Sequence, residues 1–188
     1  DERRMAIKIC SRLRIPLLNV DSERQYRKEV VEKMFSDYKK GMTPNPDIDC
    51  NRKIKFPVLL KVAKKIGAKY LITGHYSRIK KTGATYELLR AKDESKDQSY
   101  FLYTLKQDEL KHLLFPIGDY TKKEIREIAR KNHLENWSKK STVGICFVGK
   151  VNLKKFLQKK IKPKKGKIID PNGNLIGQHD GIYYYTIG

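Results

Sequence analysis

The segment 70–73, Tyr-Leu-Ile-Thr, constrains the fold of this chain more than any other. It is an unbroken run of apolar and β-branched residues, which is typical of a strand buried on both faces of a parallel sheet. A helical pattern over 54–66 precedes it, and Gly67 is placed to end that helix. An earlier pair, a helical pattern over 4–13 and an apolar run over 16–21, repeats the same order. This alternation predicts an α/β fold with a parallel sheet.

Gly74 and His75 follow the predicted strand directly. In doubly wound sheets, ligands bind just beyond the carboxyl ends of the strands. Gly74 would allow a nucleotide to approach the backbone closely, and His75 would be placed to contact a phosphate or a metal ion. A tight turn with a surface histidine explains the same two residues, so both interpretations remain open.

The stretch Thr43–Phe56 combines two prolines, two acids, a thiol and three cations. Pro44 and Pro46 each restrict φ and push the preceding residue toward extended geometry, which predicts a stiff, non-helical loop. A stiff loop that carries Cys50 close to carboxylates is a candidate site for chemistry. A proline-rich connector with an incidental cysteine is an equally good interpretation of the local composition.

A second polar loop precedes the aromatic run 100–103. Its residues Lys96, Asp97 and Gln98 are able to reach RNA phosphates or base edges, and a neighbouring aromatic ring could stack on a base. The alternative is a solvated loop that leads into a buried segment.

The segment 138–147 places Cys146 after a turn rich in Ser, Thr and Gly, with Lys139 and Lys140 upstream. Nearby cations favour the thiolate form of a cysteine, which is its nucleophilic form. The alternative is an apolar Ile-Cys-Phe strand with a buried, inert sulfur.

Composition narrows the class of protein. The chain has 42 Lys and Arg against 21 Asp and Glu, a net charge of +21, which favours a polyanion such as RNA, DNA or an anionic membrane as partner. A lysine-rich surface without a specific partner would have the same charge.

The sequence contains no apolar run of the ~18 residues that a membrane helix needs. Its three cysteines are odd in number and far apart, without zinc-ligand spacing, which predicts a cytoplasmic protein whose cysteine chemistry is catalytic.

The character of the chain changes near residue 149. A basic amphipathic pattern over 151–161 is followed by short apolar runs around the turn 170–174, Asp-Pro-Asn-Gly-Asn. We therefore predict a catalytic α/β domain over 1–148 and the start of a β-rich domain over 149–188.

With these segments located, the chain resembles the tRNA-specific 2-thiouridylase family. The matching segments occur in the family's order and span nearly the whole sequence. They are Gly-Met-Thr-Pro-Asn-Pro-Asp (41–47), Cys-Asn-x-x-Ile-Lys-Phe (50–56), Thr-Gly-His-Tyr (73–76), Lys-Asp-Gln-Ser-Tyr-Phe-Leu (96–102), Ser-Thr-x-Gly-Ile-Cys-Phe (141–147), Gly-Gln-His-x-Gly (177–181) and Tyr-Thr-Ile-Gly (185–188).

The resemblance implies a Rossmann-like catalytic domain of the adenine nucleotide alpha hydrolase type. It implies that ATP, with Mg²⁺, adenylates the C2 oxygen of the wobble uridine of tRNA, and that sulfur then replaces that oxygen. Cys146 would carry the persulfide, and Cys50 would be the partner nucleophile that forms a transient disulfide with Cys146. Asp47 would meet the target base and act as an acid or base.

The resemblance also implies binding residues and partners. The implied tRNA-contacting residues are Asn45, Pro46, Asp47, Lys96, Asp97 and Gln98. Gly74 would contact ATP. The implied partners are the wobble-uridine tRNAs for Lys, Glu and Gln, together with a protein that donates persulfide sulfur. The sequence itself contains no metal-ligand motif.

One departure keeps other interpretations open. The family's ATP loop, Ser-Gly-Gly-x-Asp-Ser, does not occur in this sequence, which has no Gly-Gly pair. We therefore expect an internal fragment that begins after the loop, lacks the C-terminal domain and is inactive by itself. A non-catalytic RNA-binding relative is the main alternative, and a different adenylating enzyme on the same scaffold, such as an amide synthetase, is another.

Overall fold

The computed structural model describes residues 2–139, 144, 149 and 151–185. They belong to two compact units, one made of residues 1–22 and 54–141 (unit 1) and one made of residues 23–53 and 142–188 (unit 2). The α-helices are α1 Glu2–Leu13, α2 Glu23–Tyr26, α3 Lys33–Lys39, α4 Pro46–Cys50, α5 Phe56–Lys65, α6 Gln107–Leu110, α7 Lys122–Lys131 and α8 Leu153–Gln158. The strands are β1 Leu71–Ile72, β2 Ser77–Thr82, β3 Thr85–Arg90, β4 Leu113–Leu114, β5 Gly166–Ile169 and β6 Leu175–His179.

Short 3₁₀ and π-helical turns complete the secondary structure. The 3₁₀ turns are Glu94–Lys96, Ser99–Phe101, Pro116–Asp119 and Ile182–Tyr184, and the π-helical turns are Arg27–Glu32 and Asn51–Lys55. Within the described residues, no helix is both long and apolar enough to cross a membrane.

Unit 1 confirms the predicted α/β class. Strand β1 pairs in parallel with β4, and Leu71 lies opposite Leu113. Strands β2 and β3 form an antiparallel hairpin, which closes where Thr82 faces Thr85. The two intervening residues include Gly83, whose φ of 60° suits the tight turn.

The core of unit 1 forms around one aromatic ring. Phe56, at the start of α5, is fully buried together with Leu102, Leu113 and Phe115. The rings of Phe56 and Phe115 meet edge to face at 6.4 Å between their centres. These contacts pack α5 against β4 and the segment around Leu102.

Unit 2 has its own core. The helical stretch from Glu23 to Lys39 packs its apolar side against α8, and the ring of Phe35 stacks on that of Phe156 with 5.2 Å between centres. The buried members of this core are Met34, Phe35, Tyr38, Leu157 and Ile161. Strands β5 and β6 form an antiparallel pair whose turn is held by Asp170, which accepts hydrogen bonds from the backbone nitrogens of Asn172 and Asn174.

Two sequence patterns fold differently from expectation. Residues 15–22 form no regular secondary structure, although an apolar strand is predicted there over 16–21. Leu17 and Leu18 are exposed, and within the described residues no strand lies beside them to exchange backbone hydrogen bonds. The pattern over 107–114, followed by Pro116 and Gly118, predicts a short helix, but α6 ends at Leu110, and Leu113 and Leu114 pair with β1 instead.

The stretch 43–56 is also not the non-helical loop that its prolines predict. Helical backbone begins at Pro46 and continues through the π-helical turn into α5. Proline is well suited to the first position of a helix, because its φ is already helical and its missing N–H is not needed there. Asn45 caps this helix from an extended conformation with φ of −106°.

The buried position of Leu157 leads to a first prediction. Replacing Leu157 with Ala should lower the free energy of unfolding of unit 2 by about 2–5 kcal/mol, because it removes apolar contacts and leaves a cavity. Urea denaturation followed by circular dichroism measures this loss. Leu175→Ala is the matched control: Leu175 is 58% exposed, whereas Leu157 is 0% exposed. Its replacement should cost less than about 0.5 kcal/mol, and equal losses for the two variants would contradict the assigned core.

Candidate functional site

The segment 45–47 forms the beginning of helix α4. The Oδ1 of Asn45 accepts hydrogen bonds from the backbone nitrogens of Asp47 at 3.1 Å and Ile48 at 3.4 Å. Pro46 occupies the first turn and Asp47 follows it. The cap therefore fixes the start of the helix whose last residue is Cys50, and Asp47 and Cys50 are three residues apart on neighbouring positions of its surface.

Asp49 anchors this helix within unit 2. Asp49 is only 7% exposed, and its carboxylate forms ion pairs with Arg52 Nη2 at 2.8 Å and with Lys33 Nζ at 3.1 Å. Lys33 is shared with Asp37. The hydrogen bond to Asp37, reinforced by that to Asp49, raises the pKa of Lys33 despite the opposing effect of its partial burial. Because Lys33 lies on α3 and Asp49 lies on α4, their ion pair holds the two helices together.

Of the two candidate cysteines, Cys50 lies within the described residues and Cys146 does not. Cys50 is 0% exposed at the end of α4. Cys146 lies outside the described residues, as does the segment 145–148 around it. The predicted couple of Cys50 and Cys146, and the transient disulfide between them, thus remain predictions. Cys10 is partly buried on α1.

His75 is buried rather than on the surface, so the surface-histidine interpretation is wrong. The ring is 8% exposed and packs against Phe56 at 5.6 Å and Phe115 at 5.7 Å between ring centres. Its Nδ1 lies 2.7 Å from Thr73 Oγ1, and its Nε2 lies 3.4 Å from Lys55 Nζ.

These contacts determine the protonation of His75. Burial, aided by the positive charge of Lys55, lowers the pKa of His75 to about 4. The ring is therefore neutral at pH 7. Because an ammonium group only donates hydrogen bonds, Nε2 accepts from Lys55, and Nδ1 carries the proton and donates to Thr73. The result is a cation held beside a neutral imidazole at the carboxyl end of β1.

Gly74 lies next to this cluster, and its neighbours do not explain why it is glycine. A Cβ added at Gly74 would meet only the Cδ1 of Ile117, at 3.9 Å, which is an ordinary van der Waals contact. The close approach of a ligand to the backbone is compatible with this open space.

The segment 96–98 has a structural role in addition to any binding role. Asp97 accepts hydrogen bonds from the backbone nitrogen of Ala91 at 2.8 Å and from Ser99 Oγ at 2.6 Å. Burial alone would raise the pKa of Asp97, but the hydrogen bonds from Ser99 and Ala91 outweigh it and lower the pKa. Gln98 Oε1 accepts from the backbone nitrogen of Tyr76 at 2.9 Å. Lys96 is exposed, so it is the member of this segment whose charge faces solvent.

Sequence reasoning missed the partners that organise both clusters. Lys55 was part of a motif segment, yet nothing in its local pattern linked it to His75, 20 positions away. Asp49 and Lys33 are 16 positions apart and meet only through folding. Among the described residues, no group of three or more His, Cys, Asp and Glu side chains is arranged to hold a metal ion.

Two family models match consecutive parts of this chain. Residues 1–150 match a family model described as tRNA methyl transferase HUP domain, and residues 154–188 match one described as tRNA methyl transferase PRC-barrel domain. A HUP domain is a Rossmann-like α/β domain, as the parallel pairing of β1 with β4 leads one to expect.

Individual relatives carry a more specific name. The chain is 45% identical over 182 residues to the tRNA-specific 2-thiouridylase MnmA of Listeria monocytogenes serotype 4b, covering 97% of this chain and 49% of the relative. It is 44% identical, with the same coverage, to that of Bacillus velezensis. It is 46% identical over 181 residues to that of Francisella philomiragia, covering 96% of this chain and 50% of the relative. The chain thus spans about half the length of these relatives.

The ion pairs of Asp49 lead to a second prediction. Asp49→Asn should lower the free energy of unfolding of unit 2 by about 1–2 kcal/mol, because Lys33 and Arg52 lose a largely buried counter-charge but remain partly solvated themselves. Urea denaturation measures the loss. Glu29→Gln is the matched control, since it breaks only the Lys53–Glu29 pair, whose side chains are 29% and 37% exposed. An Asp49→Asn variant as stable as the wild type would contradict the anchoring role.

The low pKa of His75 leads to a third prediction, which concerns pH. In the unfolded chain His75 gains a proton near its ordinary pKa of 6.5, whereas the folded protein resists protonation down to about pH 4. The contribution of His75 to stability should therefore be fully present above pH 6.5 and should decrease as the pH falls toward 4. The loss of folding free energy from His75, complete below pH 4, should be about 3 kcal/mol.

Urea unfolding at pH 6.5, 5.5 and 4.5 measures this dependence on pH. His75→Gln should show a shallower decrease than the wild type, because the titrating group is gone. His112→Gln, which removes an exposed histidine from the same unit, is the matched control for the loss of a histidine as such. An unchanged slope in His75→Gln would show that His75 is not held neutral.

Proposed function

Because this chain belongs to the tRNA-specific 2-thiouridylase family, we propose that the protein carries out ATP-dependent 2-thiolation of the wobble uridine, U34, of tRNA. The observation that carries the proposal is identity of 44–46% to thiouridylases over 96–97% of the chain. The matching models are described by the words methyl transferase. Sulfur transfer is the better assignment because the sequence offers two cysteines in motif segments.

The chemistry divides into activation and sulfur transfer. Bound ATP, with Mg²⁺, would supply the adenylyl group that turns the C2 oxygen of uridine into a leaving group. The terminal sulfur of a persulfide on Cys146 attacks C2, and AMP leaves with the oxygen. The thiolate of Cys50 then attacks the inner sulfur of Cys146. The S–S bond breaks, its electrons form the C=S group of 2-thiouridine, and a disulfide joins Cys50 to Cys146.

The geometry of α4 supports the roles of Asp47 and Cys50. They occupy the first turn and the end of one short helix, whose start is fixed by the Asn45 cap and whose middle is anchored by Asp49. In this arrangement the base would lie against 45–47, and Asp47 would exchange a proton with it. Cys50 is fully buried, so we propose that binding of tRNA rearranges its surroundings before it attacks.

The carboxyl end of β1, within unit 1, is the proposed position for nucleotide binding. Gly74 would let the nucleotide approach the backbone, as its open surroundings allow. Lys55, held by the neutral ring of His75, supplies a positive charge beside it. Lys96 would contact tRNA through its exposed ammonium group, while Asp97 and Gln98 shape the loop and Gln98 addresses RNA through its amide nitrogen.

The remaining proposals concern partners and location. We propose a cytoplasmic protein that takes sulfur from a persulfide donor protein and acts on the wobble-uridine tRNAs for Lys, Glu and Gln. The net charge of +21 supports an RNA substrate. A non-catalytic RNA-binding relative, which would share the same net charge, is the second candidate.

Cysteine replacement separates these candidates and gives the fourth prediction. In the full-length protein, Cys146→Ser and Cys50→Ser should each lower the formation of 2-thiouridine by about a hundredfold or more, because each removes a sulfur that must form or break a bond. Mass spectrometry of nucleosides from digested tRNA measures the product.

Cys10→Ser is the matched control, because Cys10 is the third cysteine of the chain and lies outside the motif segments. It should keep wild-type thiolation. Full 2-thiouridine in the Cys146→Ser protein would rule out the sulfur-transfer mechanism. Tight binding of tRNA by wild-type full-length protein without any thiolation would favour the non-catalytic candidate.

A further inference from the structure

A groove of about 640 Å³ lies in unit 1 between the β2–β3 hairpin and the segment 113–119. We call it the hairpin groove. Its polar lining is dominated by four cations and two tyrosines: Arg78, Lys80, Lys81, Lys111, Tyr70 and Tyr86. None of these residues belongs to a segment that carries the family resemblance, so the proposed catalytic site does not account for them.

The charge of the groove is strongly one-sided. Among the described residues that line it, Asp119 is the single carboxylate, and it stands 3.7 Å from Arg78 with 71% of its side chain exposed. Lys111 is paired with Asp108 at 2.8 Å, and the Asp108 side chain is 92% exposed. Such exposed pairs are weak and are screened by salt. An incoming phosphate can therefore replace them at little cost, while Lys80 and Lys81 are both exposed on β2.

The tyrosines give the groove a second feature that suits nucleic acid. Tyr70 is 43% exposed, and Lys69 Nζ lies 5.3 Å from the centre of its ring. Lys81 Nζ lies 6.0 Å from the ring centre of Tyr86. Aromatic rings beside cations let a strand pass with its phosphates on the ammonium groups and its sugars or bases on the rings.

The walls of the groove are built firmly. The side-chain amide of Gln107 bridges the backbone nitrogen and oxygen of Tyr86, both at 2.8 Å, and Arg78 Nε donates to the carbonyl of Arg90 at 2.8 Å. Gly118 approaches β2 so closely that a Cβ there would lie 1.8 Å from the carbonyl oxygen of Ser77. A preformed groove loses less conformational entropy on binding than a flexible one.

We propose that the hairpin groove binds the sugar–phosphate backbone of tRNA, at a subsite outside the motif segments. This inference rests on the proposed function, because it assigns the groove to the same RNA substrate. Cations beside tyrosines favour RNA over an acidic protein, because the cations pair with phosphates while the neighbouring rings stack on bases or sugars. The groove would strengthen ground-state binding of tRNA and would take no part in the chemical steps.

The test compares two double variants of the full-length protein with the same change in charge. Lys80→Ala/Lys81→Ala removes two groove cations, and Lys64→Ala/Lys65→Ala removes two exposed cations from the last turn of α5, outside the groove. Binding of unmodified tRNA is measured by fluorescence anisotropy over a range of salt concentrations. The groove variant should bind about tenfold more weakly at low salt, and its slope of log K against log salt should fall by about 1.5. The α5 variant should stay within about twofold of the wild type.

A kinetic readout tests the role of the groove in binding alone. For 2-thiouridine formation, the groove variant should show a raised KM for tRNA with an unchanged kcat, because only uniform binding is lost. A lowered kcat at saturating tRNA would overturn the proposal. Equal loss of binding in the two double variants would also overturn it, because the loss would then come from the lower net charge of the protein and not from the groove.

Other outcomes separate this inference from the proposed function. If wild-type protein thiolates tRNA and the groove variant binds it normally, the groove proposal fails while the function stands. If the groove variant alone loses tRNA binding but wild-type protein never thiolates, the groove stands and the function fails. Polyglutamate serves as a probe for an acidic protein: selective loss of polyglutamate binding, with tRNA binding intact, would overturn the assignment to RNA.

Discussion

Burial of the Phe56 ring is the interaction on which unit 1 depends. The ring fills the space between α5, β4 and the segment around Leu102, and it forms one wall of the pocket around His75. An imidazole enclosed by Phe56 and Phe115 is costly to charge, so the core that stabilises the sheet also keeps His75 neutral. A neutral ring can accept a hydrogen bond from Lys55, whereas a charged ring would repel it. Packing thus determines where a positive charge is held at the carboxyl end of β1.

Much of this fold could be predicted from short-range patterns. The apolar run at 70–73 indicated a parallel strand, and Thr121 with Glu124 formed the capping box that their spacing predicts. The family could be predicted too, because several motifs occurred in order. The stretch 43–56 was mispredicted although its signal was present. Asn45 before Pro46 is a typical helix start, but the two prolines were interpreted only as restrictions on the backbone.

The site could be predicted only in part, because its critical contacts join distant positions. Asp97 and Gln98 accept hydrogen bonds from the backbone of other segments, at Ala91 and Tyr76, and their own polar loop does not indicate these partners. The burial of His75 depends on rings 19 positions before and 40 positions after it. No local pattern carries that information. The basic groove was likewise not visible in the sequence, since its cations come from one strand and a turn and resemble an ordinary lysine-rich surface.

The complete enclosure of Cys50 affects how easily its thiol is oxidised. Oxidation by peroxide requires an accessible sulfur, and its rate rises with exposure and with thiolate character. A sulfur that is 0% exposed meets oxidants slowly and so avoids conversion to sulfenic or sulfinic acid. Enclosure therefore keeps the Cys50 sulfur in its reduced form.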